Sequence, residues 1–333
     1  MAGTSLITTF GKLAHDAGRR FRRHVHARPL LPAVEAERHV IATADAGAIS
    51  YYEDASGEGR PLVLLHGIHA AASAFEMRTL FDAFRGERPV YALDLPGFGF
   101  SQRGGMRYSA TTYVRAIEHL LRHIASERED QRADLVALSL SSEYAAAVAA
   151  ELPDLVHSLV LISPTGFGKS RREGTPQWLK AVARAGGELF YELLITRPSL
   201  RHYLHKSFVG PIDPSLLEYS HATSHQPGAQ YAPLAFVSGE LFPAGDPQQT
   251  YGRVKAPVLV LFDQDPYSDF GGLRGFVSRH DNYETLRVLR TRGLPQIEAS
   301  ERTIHGLRAY WDRIHADGAG GQRRAEQAAY AQV

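Results

Sequence analysis

The pentad Ala137-Leu138-Ser139-Leu140-Ser141 closes an apolar, β-rich run and leads directly into an Ala-rich helical pattern. A chain that turns this sharply from strand to helix crowds the backbone around its central residue, so the positions two away must be small. Ala137 and Ser141 are small, although neither is glycine. Such a turn exposes Ser139 Oγ as a nucleophile and aims the Leu140 amide N–H at an oxyanion forming beside it. The apolar run 61–65 stops at His66-Gly67-Ile68, where Gly67 frees the loop and offers the Ile68 N–H as a second oxyanion donor. A further run ends in Asp94-Leu-Pro-Gly-Phe-Gly-Phe-Ser101, a tight Gly/Pro loop.

Eight β-rich runs would position these groups, at 39–43, 49–53, 61–65, 89–93, 135–138, 158–162, 257–262 and 285–289. From 61 onward they are apolar without alternation, the pattern of strands buried on both faces of a parallel sheet. Helical patterns fill the gaps. Ser73-Ala-Phe-Glu76 has the form of a capping box, with Leu80, Phe81 and Phe84 on one face behind it. Tyr113, Ile117, Leu120, Leu121 and Ile124 form another apolar stripe. Strand–helix alternation with short loops predicts a mostly parallel, doubly wound α/β sheet. Between 166 and 250 only helix signals remain, with Thr175-Pro176 and Asp213-Pro214 as helix starts. This stretch, rich in aromatics from Trp178 onward, is expected to be a helical lid after the sixth strand. Tyr191, Tyr203 and Tyr219 are its candidate ligand contacts, with His69 beneath them; taken singly, such aromatics are more often a lid's own core.

These pieces, in this order and spacing, resemble the α/β-hydrolase superfamily over about residues 39–315. The resemblance implies an eight-stranded α/β-hydrolase core at 39–165 and 251–315, a lid at 166–250, a basic arm at 1–38 and a flexible tail at 316–333. It also implies a triad in chain order Ser, acid, His. Ser139 maps to the nucleophile. Asp265 is the best match for the acid after the seventh strand, with Asp263 as the fallback; an ordinary Asp-Pro turn is the competing reading. The base belongs after the eighth strand in a Gly-His-x-Pro-x-x-Glu frame. Here the frame reads Arg292-Gly293-Leu294-Pro295-Gln296-Ile297-Glu298, and Gly293 stands where the histidine belongs. Loss of such a base costs roughly 10⁶ in turnover, about 8 kcal/mol. Oxyanion-hole stabilisation and binding alone leave roughly 10³–10⁴ over water. His69 is the first candidate for a substitute base, and the lid histidines His202, His205, His221 and His225 are others. His66 reads as structural, and His305 lies too far along the last helix. A glycine at 293 is also expected to leave imidazole-sized space beside Ser139, open to water, a ligand or another side chain.

The resemblance implies a serine hydrolase acting on an ester or related acyl bond of a small apolar substrate, with an atypical or impaired triad. The alternative is a catalytically inactive small-molecule binder on the same scaffold; lyase- or thioesterase-type chemistry is a third possibility, since fold does not fix function. Within 333 residues a net charge of +1 argues against a nucleic-acid partner, and the absence of cysteine excludes thiolate nucleophiles, thiolate metal sites and disulfides. No cofactor and no metal are expected, His24-x-His26 being too weak a signal. Residues 1–28 carry six Lys or Arg against Asp16 on a helical apolar period. The expectation is a cytoplasmic protein whose arm packs on the domain or is left mobile, with a membrane-surface helix in weak contact with lipid, or an organelle-targeting helix, as the alternative.

Overall fold

Four consecutive side chains of the third strand, Leu62 to Leu65, have no exposed surface. Neighbours along a strand point to opposite faces, so both faces of this strand are covered. Leu62 and Leu64 join Phe81, Phe84 and Trp311 on one side, while Val63 and Leu65 join Tyr113, Ile117 and Tyr144 on the other. Each such side chain contributes roughly 1.5–3 kcal/mol by leaving water. That burial holds the centre of the sheet rigid beneath the site.

The computed structural model describes residues 29–128, 132–168 and 187–330, the last stretch as backbone alone beyond 316. The basic segment 1–28, the Thr175-Pro176 helix start and Trp178 lie outside the described residues. The eight strands are β1 (Glu37–Ala42), β2 (Ala48–Asp54), β3 (Leu62–Leu65), β4 (Val90–Asp94), β5 (Ala133–Leu138), β6 (Val156–Ile162), β7 (Val258–Gln264) and β8 (Tyr283–Arg292). They form one sheet in the order β1-β2-β4-β3-β5-β6-β7-β8. β2 is antiparallel to β1 and β4, and every other pairing is parallel. The helices Ala110–Glu127 and Ser141–Glu151 pack on one face, and Arg78–Phe84 and Ser300–Tyr330 on the other. This is the doubly wound sheet expected from the sequence.

Between β6 and β7 the described residues hold helices and no strand. These are a helical run at 187–194, then Arg197–Lys206, Pro214–Ser224, Tyr231–Val237 and Pro247–Gly252. Asp213 caps its helix as its Pro-preceding position predicts, accepting from Ser215 N at 2.8 Å. Asp246, before Pro247, repeats the device on Gln248 N at 3.0 Å.

One expectation needs correction. The Ser73–Glu76 pair is no capping box: Ser73 makes no side-chain cap bond, and a short 3₁₀ turn, Ala74–Met77, precedes the helix. Glu76 is buried, and its carboxylate accepts instead from the Gly67 amide and bonds His69. In the segment before β1, Ala33 and Val34 are buried, and Ala33 N donates to Tyr52 Oη at 3.0 Å. At the other end the last helix runs to Tyr330; the Ala, Arg, Glu and Gln of 322–329 are strong helix formers. Among the described residues no helix is long and apolar enough to cross a membrane.

Candidate active site

β5 ends at Leu138 and the next helix begins at Ser141, so the whole turn is Ser139-Leu140. Ser139 is driven to a φ of 56°, a left-handed backbone that costs an L-residue roughly 1–2 kcal/mol. It is held there from both sides. Its N–H donates to Ile162 O of β6 at 2.9 Å, and its own carbonyl accepts from Ser142 N at 3.1 Å. Ser141 and Ser142 have no exposed surface. Ser141 Oγ donates to His66 O at 2.6 Å and Ser142 Oγ to Ala137 O at 3.1 Å, so neither buried hydroxyl is left unpaired. Ser139 itself is half-buried, and its hydroxyl has no partner among the described residues.

Ile68 and Leu140 each lie three residues beyond Leu65 and Ala137, which are register partners on adjacent parallel strands. The bond from Ser141 to His66 ties the two loops together. Neither the Ile68 nor the Leu140 amide donates to an acceptor among the described residues, whereas the Gly67 amide is committed to Glu76 Oε2 at 2.8 Å. His66 is structural, as expected. It is fully buried, Nδ1 bonds Gly67 O at 2.7 Å and Nε2 accepts from Leu95 N at 3.0 Å. Burial keeps its pKa below the ordinary histidine value.

Asp265 is the first residue after β7. Its Oδ1 accepts from Tyr267 N at 2.6 Å and Ser268 N at 2.8 Å. Burial pushes its carboxyl up to about 6. Gly293 N bonds Gln264 O at 2.9 Å, and a Cβ at position 293 would stand 3.2 Å from Asp265 Oδ2. The two positions paired by the sequence frame are therefore neighbours. Asp263 is engaged elsewhere. Burial opposes its charge, but the Arg287 bond at 2.8 Å and the Thr291 amide at 3.2 Å outweigh that and hold its carboxyl below the usual range. Only β6 separates the strands carrying Ser139 and Asp265. Two strand spacings are about 9–10 Å, too far for a direct hydrogen bond between their backbones' short side chains. Ser163, just past β6, lies between them with a φ of 44° and a buried hydroxyl that has no partner among the described residues.

The space beside Gly293 is shared with the helical insert. Ser207 Cβ would lie 3.6 Å from a Cβ at 293. Glu298 clamps this contact: Oε1 accepts from Val209 N and from Gly210 N (2.8 Å), and Oε2 accepts from Arg292 N at 2.8 Å. The imidazole-sized opening expected from the sequence is thus bordered by a side chain of the insert.

Among the described residues no histidine contacts Ser139 or Asp265 through a hydrogen bond. His69 Nε2 is bonded to buried Glu76, and its Nδ1 accepts from Ala71 N at 3.3 Å, so both ring nitrogens are engaged. His202, His205 and His305 are exposed. His221 and His225 stack on each other at 4.0 Å, and burial together with that neighbour brings His221 down to about 4. Tyr191 is buried against the His69 loop, donating to Ser224 O at 2.9 Å and Ala70 O at 3.2 Å. Tyr219 stacks on Phe75 at 4.5 Å and donates to Leu31 O, and Tyr203 is 44% exposed on the helix Arg197–Lys206. Of the four candidate ligand contacts, His69 and Tyr191 alone come together at one loop. Glu76 and Glu298 escaped the sequence reading as site-shaping groups; a Glu inside an apolar turn, and the Glu closing the frame at 298, were the available signals.

Asp134, His157 and His315 form the one cluster with metal-ligand proximity among the described residues. Asp134 already accepts from His157 Nδ1 (2.8 Å), Ser158 Oγ (2.6 Å) and Arg88, at the end of β5 opposite Ser139. It is a structural network.

Residues 62–306 match the alpha/beta hydrolase family, and the chain belongs to it. Among curated relatives it is 32% identical over 131 residues to 2-hydroxy-6-oxo-2,4-heptadienoate hydrolase of Pseudomonas putida, covering 39% of this chain and 46% of that one. It is 29% identical over 162 residues to 2-(acetamidomethylene)succinate hydrolase of Mesorhizobium japonicum, covering 48% and 54%. The chain thus spans about half the length of these relatives. Among solved structures, a serine hydrolase involved in carbazole degradation superposes with a TM-score of 0.66 at 18% identity, covering 83% of this chain and 98% of that one. A carboxylesterase from Bacillus subtilis gives 0.65 at 16%, covering 89% and 98%. At these identities the likeness is one of fold.

Proposed function

We propose that this protein binds a small acyl compound at Ser139 and hydrolyses its ester or related bond slowly, through an acyl-enzyme. One observation carries the reading: Ser139 is held at a left-handed φ, and neither its hydroxyl nor the Ile68 and Leu140 amides have a partner among the described residues. Stored strain of this kind survives where the surrounding structure enforces it, and it accompanies function. Ser139 Oγ attacks the carbonyl carbon, and the resulting oxyanion accepts from the Ile68 and Leu140 amides. The leaving group departs and water cleaves the acyl-serine. With no imidazole at 293, the serine proton passes to solvent, so substrates with good leaving groups react and alkyl esters hardly do. Asp265 remains as a carboxylate without its usual partner.

A second reading, a binder without turnover, is favoured by Gly293 and by Ser207 crowding that position. An activated aryl ester such as p-nitrophenyl butyrate separates the two. The hydrolase reading expects a burst of about one p-nitrophenolate per chain and an acyl adduct by intact mass, both absent in Ser139→Ala. Equal release by wild type and Ser139→Ala supports the binder.

A further inference from the structure

Arg103 follows β4 by nine residues and turns its guanidinium beneath the helical insert. Nη2 donates to the Gly99 carbonyl and to Thr223 Oγ1 at 3.1 Å. Nε is buried and has no acceptor among the described residues. Both acceptors are neutral. Asp94 attracts the guanidinium from beyond ion-pair distance, but its two oxygens are held by the Ala74 and Phe100 amides at 3.0 and 2.9 Å. Taking a cation out of water without an anion to meet it is costly, and burial accordingly holds Arg103 below the ordinary arginine pKa.

A void of about 10 Å³ lies against this guanidinium, with Ala70 and Ala72 on one side and Tyr191, Thr223 and Ser224 of the insert on the other. Ala70 is two residues from Ile68, at most about 7.6 Å of chain. Phe98, also on the wall, packs edge-on against His66, the start of the same loop, at 5.4 Å.

We infer that Arg103 is an anion subsite of the Ser139 pocket, and that the acyl compound bound there carries a carboxylate a few bonds from its carbonyl. The inference rests on the reading of Ser139 given above. The free Nε and the adjacent Nη2 form one edge of the guanidinium, the edge that takes a carboxylate bidentately. In the present state the void holds at most one water. The carboxylate therefore displaces Thr223 as the Nη2 partner, and the insert moves outward on that side.

Succinate, glutarate and adipate, each set against its neutral diamide, test this by calorimetry and thermal melting. The diacids are expected to bind saturably and raise the melting temperature, the diamides to do neither. Arg103→Met should weaken the best diacid at least tenfold, and Arg103→Lys, a point charge without the fork, should give a smaller loss in a protein that keeps the strut to Thr223. No binding of any diacid, equal binding of diacid and diamide by the wild type, or unchanged affinity in a folded Arg103→Met variant would each overturn the inference. Serine labelling is scored separately. Diacid binding with an unreactive Ser139 leaves the anion subsite standing and removes the hydrolase, while a reactive Ser139 without diacid binding does the reverse.

Discussion

Asp265, the candidate acid, has a carboxyl whose ionisation differs between the folded and the unfolded chain because it is buried. In the unfolded chain its carboxyl ionises near 3.8, whereas burial raises it to about 6 in the folded one. Between those values the folded protein keeps a proton that the unfolded chain has released. Its stabilising contribution is therefore complete below about pH 4, falls as pH rises through 6 and stays lost above. The gap corresponds to at most about 3 kcal/mol at 1.36 kcal/mol per pKa unit. Asp265→Asn should raise stability by about 1–3 kcal/mol at pH 7.5 and by nearly nothing at pH 4, read from urea melts at both pH values. Gly293 has a φ of +83° and would place a Cβ 3.2 Å from Asp265 Oδ2. Gly293→Ala should consequently cost about 1–2 kcal/mol. Histidine tolerates that backbone better than most residues. Gly293→His combined with Ser207→Gly should raise aryl-ester turnover, and the gain should disappear when Asp265→Asn is added.

The elements show why parts of the site were legible and parts were not. Apolar runs bounded by Gly and Pro marked β3 to β7, because strands buried on both faces need unbroken apolar sequence, whereas the more exposed β1, β2 and β8 were marked by β-rich composition alone. The pairing of position 293 with Asp265 followed from two short frames, each placed behind a recognisable strand. Contacts made by side chains outside such frames left no such trace. Ser73 and Glu76 have the spacing of a cap, yet Glu76 reaches back to Gly67 and His69. Glu298 joins β8 to residues 209 and 210 of the insert, almost ninety positions away. Arg103 meets Thr223 across 120 residues. If Glu298 is the clamp between insert and core, Glu298→Gln should lose one of its charged acceptors, worth about 1.5–3 kcal/mol. Amide hydrogen exchange should then quicken at 207–210 and 292–293, while β3 and β5 exchange as before.

Across the whole molecule, a rigid sheet is joined to a site that is held under strain. The scaffold belongs to a hydrolase family, but a fold does not fix the chemistry done on it. What the scaffold maintains here is the turn at Ser139. Ser139→Gly should relax that turn and, after the entropy cost of glycine, stabilise the protein by about 0.5–1 kcal/mol. Because the two sites contact different partners, this gain should add to that of Asp265→Asn within about 0.5 kcal/mol. The central claim is that the half-buried Ser139 hydroxyl, strained at the top of its turn, is a reactive oxygen served by the Ile68 and Leu140 amides. Treatment with a fluorophosphonate, followed by proteolysis and mass spectrometry, tests it most directly. One phosphonyl adduct per chain, on the peptide carrying Ser139 and absent from Ser139→Ala, is the predicted result. An unmodified Ser139 after prolonged exposure, or a label that survives Ser139→Ala, would contradict it.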